Sequence, residues 1–281
     1  MTDRATDAVA RDRSERFGGA LVHHGPVSDR AYLVKPGPDP AADIRVLERL
    51  AAEHGYGKLF ATVRSEAREA FETAGFVAEA RVPLSCGSDE LLFFSRFLDP
   101  ERAVEHHGDG EVVDKAAGAS REPELPCGLD LRIADPADAE AIAHLYDVVF
   151  ESYPFPITSP GYVAEMMETG TVFALVTEGE RIVAAASADI DETTSSCEMT
   201  DFATLPDQRG RGLASVLLGR LEDEARARGV TTAYTIARAR SAGMTAVFVR
   251  RGYRHGGLLV NNTGICGAIE SMNVWYRTLL S

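Results

Sequence analysis

The amino-acid sequence predicts an α/β protein. Three observations carry that expectation. Apolar runs of strand length alternate with amphipathic runs of helix length, the same order of elements occurs twice, and a polar, breaker-rich segment separates the two stretches. At 281 residues with 45% hydrophobic content, the chain suits one large or two modest domains with packed cores.

Residues 1–16 are polar and charged, with no apolar run long enough for a signal peptide or a membrane span, so a cytoplasmic location is expected. Residues 59–63 read as a strand, 66–74 as a helix closed by Gly75-Phe76, and 78–84 and 91–97 as two further strands. Residues 101–128, with His106-His107 and Ser120-Arg-Glu-Pro-Glu-Leu-Pro126, read as a linker holding a short helix near 112–117. The chain is thereby divided into an N-terminal domain over 1–100, the linker, and a C-terminal domain over 129–281.

In the C-terminal domain, 196–204 is a strand and Val216, Leu217, Leu218, Leu221 and Ala225 recur at helical spacing in a helix that reaches about residue 228. A strand over 231–236, a helix from Ser241 to Gly252-Tyr253, and strands over 257–263 and 271–279 follow. Both domains therefore run strand, helix, Gly-aromatic, strand, strand.

Between strand 196–204 and its helix lies Leu205-Pro-Asp-Gln-Arg-Gly-Arg-Gly-Leu-Ala214. Gly210 and Gly212 let the backbone approach an anion and aim successive N–H groups at it, and the positive end of the helix dipole helps hold the charge. Gly-rich turns also serve merely to reverse a chain, but the strand before and the helix after make this one a phosphate cradle. There is no GxGxxG, and no Lys-Ser/Thr closes the loop, which argues against dinucleotide and nucleoside-triphosphate chemistry.

A net charge of −14 opposes binding to nucleic acid or an anionic membrane and is compatible with a cationic small substrate. Cys86, Cys127, Cys197 and Cys266 are scattered without CxxC spacing, so reduced thiols are expected and neither disulfides nor zinc. His23-His24 and His106-His107 lack a spaced framework of further ligands. They are expected on the surface, and no metal is expected.

Strand, Arg-Gly-x-Gly-Leu-Ala, helix, strand, helix, Gly-aromatic: from about residue 131 to 280 this resembles the GNAT superfamily of N-acetyltransferases. The resemblance implies a GNAT fold with a mixed, mostly antiparallel central sheet, preceded here by a smaller, degenerate GNAT-like domain. That N-terminal domain has no Arg-Gly-x-Gly loop and is expected to scaffold the catalytic domain or to contribute to a homodimer. The resemblance also implies acetyl-CoA as donor, its pyrophosphate held by the backbone of Arg209, Gly210, Arg211, Gly212, Leu213 and Ala214. Asp207 stands where the superfamily often has Gln or Arg, so the backbone and not that side chain is expected to grip phosphate.

Acetyl transfer to an amine requires an ammonium of pKa about 10 to lose its proton before nitrogen attacks the thioester. Glu198 sits where the superfamily commonly places the carboxylate that draws this proton through water. Asp201, on the opposite face of a regular strand, is left to bind a substrate ammonium or to support the turn. The N–H donor that stabilises the developing oxyanion lies by resemblance at Phe202, Ala203 or Thr204. Phe248 replaces the tyrosine that often protonates the leaving thiolate. Either the thiolate leaves unprotonated, or Tyr234 or Tyr253 supplies the proton. Ser241 is positioned either to bond the pantetheine arm or to cap its helix.

The strings Tyr153-Pro-Phe-Pro-Ile157, Glu198-Met-Thr-Asp-Phe-Ala203, Tyr234-Thr-Ile-Ala-Arg-Ala239, Asn261-Asn-Thr263 and Ser271-Met-Asn-Val-Trp275 narrow the resemblance to the β-lysine N6-acetyltransferase family. That family makes N6-acetyl-β-lysine, a compatible solute that is a net-neutral zwitterion. Its substrate needs acceptors for the β-ammonium and donors for the carboxylate, which Asn261, Asn262 and Asn273 offer unless they cap strands or turns. Tyr153 and Phe155 would wall the alkyl chain, with the prolines fixing their loop. Arg238 and Arg240 fit the surface better than the site.

Two other readings remain open at this stage. One is a GNAT enzyme for a different small amine such as lysine, a polyamine or an aminoglycoside. The other is a non-catalytic CoA-binding regulator, against which the cradle and Glu198 both stand.

Overall fold

The computed structural model describes residues 12–84, 89–105, 124–265 and 267–279. The expected helix near 112–117, His106, His107, Cys86 and Cys266 lie outside the described residues. The N-terminal half contains β1 (Arg13–Phe17), β2 (Ala20–Gly25), β3 (Arg30–Lys35), α1 (Pro40–His54), β4 (Lys58–Arg64), α2 (Arg68–Thr73), β5 (Val77–Pro83) and β6 (Glu90–Phe97). The C-terminal half contains β7 (Asp130–Ile133), α3 (Ala139–Val149), α4 (Pro160–Glu168), β8 (Val172–Glu178), β9 (Arg181–Asp191), β10 (Ser196–Thr204), α5 (Leu213–Ala227), β11 (Thr232–Arg238), α6 (Ala242–Arg250), β12 (Arg254–Ile265) and β13 (Ala268–Thr278).

The thirteen strands form one sheet, ordered β1-β2-β3-β4-β6-β5-β12-β13-β11-β10-β9-β8-β7. It is mixed and mostly antiparallel, with β3–β4 and β10–β11 as its parallel pairs. Read outward from the join, both halves have the same strand order: β5, β6, β4, β3, β2, β1 on one side and β12, β13, β11, β10, β9, β8 on the other. The halves meet edge to edge at Gly257↔Ala80. A Cβ on Gly257, whose φ is +145°, would stand 2.3 Å from the Glu79 carbonyl oxygen, and one on Gly264 would stand 2.2 Å from that of Val27. Glycine is what allows the two backbones to close.

Next to this join β12 slips register against β13 between Leu259 and Thr263, with Asn261 at φ +43°. The slip releases backbone groups that would be costly to bury unpaired. Side chains of the N-terminal half take them up. Glu79 accepts from the Val260 N–H at 2.9 Å, and Lys58 Nζ donates to the Val260 carbonyl at 2.7 Å. Arg102 donates to the Asn261 carbonyl at 2.7 Å and Arg30 to that of Asn262 at 2.6 Å. Lys58 is wholly buried and paired with Glu79 at 2.9 Å, and burial lowers it to about 7.

Sheet alternation assigns each half its core. In the N-terminal half, Leu33, Leu59, Ala61 and Phe94 pack beneath Leu47, Leu50 and Phe71 of α1 and α2. Their sequence neighbours Tyr32, Phe60 and Phe93 point to the other face and meet Leu259, Met272, Val274 and Tyr234 of the C-terminal half. No helix among the described residues of the N-terminal half packs on this face, and the C-terminal half covers it. In that half, residues 182–188 of β9 are all buried, with alanine at 184, 185, 186 and 188 where α3 and α5 both pack.

His23 and His24 correct the surface expectation, since both are fully buried. Strand β2 runs between β1 and β3, and its polar residues turn inward. The His23 ring lies 4.3 Å from that of Phe155, and burial brings it down to about 4, so it is neutral at physiological pH. His24 Nδ1 lies 3.0 Å from the Tyr56 hydroxyl. Cys197 is a buried free thiol and Cys127 an exposed one. No helix among the described residues is long and apolar enough to cross a membrane.

Candidate active site

Strands β10 and β11 stay paired for three rungs, Ser196↔Thr232, Cys197↔Ala233 and Glu198↔Tyr234. Beyond these, β11 follows β13 to Arg238↔Met272 while β10 follows β9 to Thr204↔Ala184. The strands therefore part at Glu198. Phe202, Ala203 and Thr204 lie on the stretch of β10 whose edge toward β11 has no strand partner.

Within that stretch β10 slips register against β9 between Thr200 and Ala203, and Asp201 adopts φ +55°. A regular strand would turn Glu198 and Asp201 to opposite faces. The bulge removes that alternation. Glu198 pairs in register with Asp189 of β9, two residues from Ser187, and the Ser187 hydroxyl donates to Asp201 Oδ2 at 2.6 Å. The Tyr153 hydroxyl donates to Asp201 Oδ1 at 2.7 Å. Three carboxylates, Glu198, Asp201 and Asp189, thus gather on one face.

Their electrostatics follow from this crowding. Burial first, then Asp189 and Asp201, push the Glu198 carboxyl up to about 8. Burial also raises Asp201, against the hydroxyls of Ser187 and Tyr153 that favour its charged form. Around Asp201 stand Tyr146 and Tyr153, raised well above the usual phenol range by burial and that carboxylate, and Tyr162, raised to about 12. Ser187 and Asp189 escaped the sequence reading, although polar residues two apart in an apolar strand are a signal of one polar face.

The N-terminal half closes this compartment. Tyr32 of β3 is raised to about 12 by burial and by Glu198, and its hydroxyl lies 3.2 Å from that of Thr62. Phe155 lies tilted against the His23 ring, and the Pro154 carbonyl faces that ring as an acceptor. The Tyr153–Ile157 loop thus both reaches Asp201 and binds the two halves together.

The cradle has the geometry of an anion site. Gly210 and Gly212 have φ of +80° and +79°, and Gly212 caps α5 without a side-chain hydrogen bond. Residues 209–212 are exposed, while Leu213 is buried as the first anchor of the helix. Among the described residues, no N–H of residues 209–214 has a protein acceptor. The Arg209 and Arg211 side chains turn back to the Thr204 carbonyl and to Gln208, so the backbone is left as the donor set. Asp207 pairs with Arg181 at 3.5 Å. These residues fit a pyrophosphate.

The remaining sequence-predicted residues are distributed more widely. Tyr234 shares the face of Glu198, lies 5.9 Å from the Phe93 ring, and is raised well above 10 by burial and Glu198, which makes it a weak acid. Tyr253 is buried on the other side of the sheet, near Glu222 and Cys197. Phe248 is fully buried and edge-on to Phe202 at 5.7 Å. Ser241 caps α6, its hydroxyl accepting from the Met244 N–H at 3.4 Å. Asn261 donates its amide to the carbonyls of Arg102 and Val104, holding the seam between the halves. Asn262 adjoins Arg30 there and has a buried Oδ1 without a partner. Asn273 alternates with Met272 and Val274 and so faces away from Tyr234 and Glu198; its Oδ1 lies 2.9 Å from His255 Nε2. Arg238 forms a bidentate pair with Glu270.

Residues 139–258 match the model of the Acetyltransferase (GNAT) family. The chain is 33% identical over 263 residues to a β-lysine N6-acetyltransferase of Methanococcus maripaludis, covering 92% of this chain and 96% of that protein. It is 31% identical to one of Methanosarcina mazei, covering 83% and 95%. The crystal structure of the ribosomal-protein-S18-alanine N-acetyltransferase from Escherichia coli superposes with a TM-score of 0.48 at 20% identity, covering 54% of this chain and 95% of that one. GNAT acetyltransferases use acetyl-CoA, and the cradle of residues 209–214 is where this chain would hold it. With its fold, splayed strands and these relatives taken together, the chain belongs to the β-lysine N6-acetyltransferase family of GNAT acetyltransferases.

Proposed function

We propose that this enzyme transfers the acetyl group of acetyl-CoA to the N6 amine of β-lysine, giving the compatible solute N6-acetyl-β-lysine in the cytoplasm. The observation that carries the reading is Glu198, a carboxylate raised to about 8 where β10 and β11 part. A base of that strength accepts a proton from an amine far better than an ordinary carboxylate does.

In this reading Glu198 takes the ammonium proton, directly or through water, and the freed nitrogen attacks the thioester carbonyl. Backbone N–H groups at Phe202 to Thr204 stabilise the oxyanion. The new C–N bond then stays, the C–S bond breaks, the nitrogen gives up its second proton to water, and the thiolate departs. Phe248 has no proton to give, Tyr234 is a weak acid and Tyr253 lies on the other side of the sheet, so a thiolate that leaves unprotonated fits best. Asp201, engaged by Tyr153 and Ser187, supports the bulge and adds to the negative potential that attracts a diamine. Enclosure by the N-terminal half, which we read as a GNAT copy without a donor site, favours a small acceptor over a protein.

Thiol release from acetyl-CoA with β-lysine, α-lysine and spermidine in parallel tests the proposal, the product being identified by mass and NMR. Preferred turnover of β-lysine at N6 is expected. Turnover with another amine alone would overturn the choice of acceptor, and donor binding without turnover would favour a regulator.

A further inference from the structure

The seam between the halves contains a cation with which no described carboxylate pairs. Arg30 of β3 is 3% exposed, with its guanidinium 5.0 Å from the Tyr32 ring centroid and 5.5 Å from that of Phe60. Nη1 donates to the Asn262 carbonyl at 2.6 Å and to Thr263 Oγ1 at 3.0 Å. Buried Nε has no partner, Nη2 donates to nothing among the described residues, and no described carboxylate lies within 4.0 Å. Asp12, which acts on Arg30 at longer range, already accepts from the Val27 and Ser28 N–H groups, and Arg102 adds a second positive charge. A buried cation without an anion is costly, and the unpartnered Nε/Nη2 edge is the one that grips a carboxylate side-on.

The surroundings say which anion fits. Tyr32 follows Arg30 on the same face of β3, about 7 Å along the strand, and lies in the field of Glu198 and Asp189. His23, in the field of Arg30, lies tilted against Phe155, whose loop carries Tyr153 to Asp201. The seam therefore carries a cation at one end, carboxylates at the other, and aromatic rings between. It is complementary to an amino acid with its reacting amine far from its carboxylate. The donor's phosphates are provided for separately at residues 209–214.

We propose that Arg30 binds the carboxylate of the acceptor side-on through Nε and Nη2, so that the N-terminal half supplies the specificity-determining residue of the acetyltransferase. This rests on the reading of the acceptor as β-lysine, and the test separates the two. Binding of β-lysine and of its decarboxylated analogue 1,4-diaminopentane is measured calorimetrically on the full chain, unchanged and as Arg30→Met and Arg30→Lys, with thermal unfolding as the fold control and KM and kcat measured in parallel.

The unchanged chain should bind β-lysine about 100-fold more tightly than the diamine, the order expected for a buried charge pair. Arg30→Met should erase that preference while leaving the KM for acetyl-CoA and diamine binding unchanged. Arg30→Lys, which retains charge but not the fork, should retain about a tenth of it and keeps the proposal testable should the Met variant not fold. Equal binding of both ligands by the unchanged chain would overturn the proposal. So would a preference that survives both substitutions, or an equal loss of both ligands. Preferential binding without acetyl transfer would sink the catalytic reading and leave Arg30 assigned.

Discussion

The junctions β10–α5 and β3–α1 occupy the same place in two halves of matching strand order, and they treat an anion in opposite ways. At β10–α5, Gly210 and Gly212 expose a row of N–H donors without protein acceptors. At β3–α1 the chain reads Lys35-Pro-Gly-Pro-Asp-Pro40, and three prolines remove three donors outright. Asp39 accepts from the Ala41 N–H at 3.0 Å, and Asp43 takes the Gly37 N–H at 2.8 Å. Carboxylates of the chain itself thus stand where the other half leaves room for phosphate. A further contrast lies one strand away. The third rung of the parallel ladder is Glu198↔Tyr234 in one half and Tyr32↔Phe60 in the other. A single topology offers an unfilled site when its helix N-terminus and its ladder end are left open, and forms a wall when both are filled.

The largest expected effect comes from removing the group that most separates the two ladders. Glu198→Gln should lower kcat about 100-fold or more, and the pH–rate limb near 8 should move toward the amine's own value of about 10. An unchanged profile would remove Glu198 from the mechanism. The same substitution has a stability signature. The folded carboxyl is raised above its ordinary 4.5, so its contribution is fully present below that value and is lost as pH climbs to about 8. The variant should therefore unfold at a higher temperature than the unchanged protein at pH 9 and lose that advantage by pH 4.

Converting one junction toward the other comes next. Gly212→Asp puts a carboxylate at the α5 N-terminus, in a left-handed conformation that Asp tolerates, as Asp39 stands at α1. The KM for acetyl-CoA should rise about 100-fold, since like charges brought together cost several kcal/mol. Unaltered donor affinity would show that the cradle does not hold phosphate. Loosening the wall should affect stability first. Lys58→Met leaves Glu79 charged and buried beside β12 and should cost about 3–5 kcal/mol in a denaturant melt. The smallest effect is expected from Asp39→Ala, which removes the α1 cap for about 1 kcal/mol and should leave the KM for acetyl-CoA unchanged.

What was legible in the sequence was local. Strand 196–204 matches β10 residue for residue, and the glycine cradle, α5 and the order of the last strands follow from patterns within about twenty residues. Residues 13–54 were not legible, because β2 and β3 are interior strands with His23, His24 and Arg30 turned inward, and burial on both faces leaves no alternation to read. The asparagines illustrate a second limit. Asn261, Asn262 and Asn273 are near one another in sequence, yet one holds the seam, one adjoins Arg30 and one faces away from Glu198.

The sequence by itself determined the fold class, the glycine loop ahead of α5 and the carboxylates of β10, since each depends on residue type, spacing and the conformational freedom of glycine. Tertiary structure decided the rest. A bulge at Asp201 turned two carboxylates to one face, and burial, then Asp189 and Asp201, raised Glu198 to about 8. The face of the N-terminal half that carries Tyr32 and Arg30 came to lie against the C-terminal half. Desolvation and long-range charge act through distance in space, and residues some 170 apart along the chain carry no local mark of meeting.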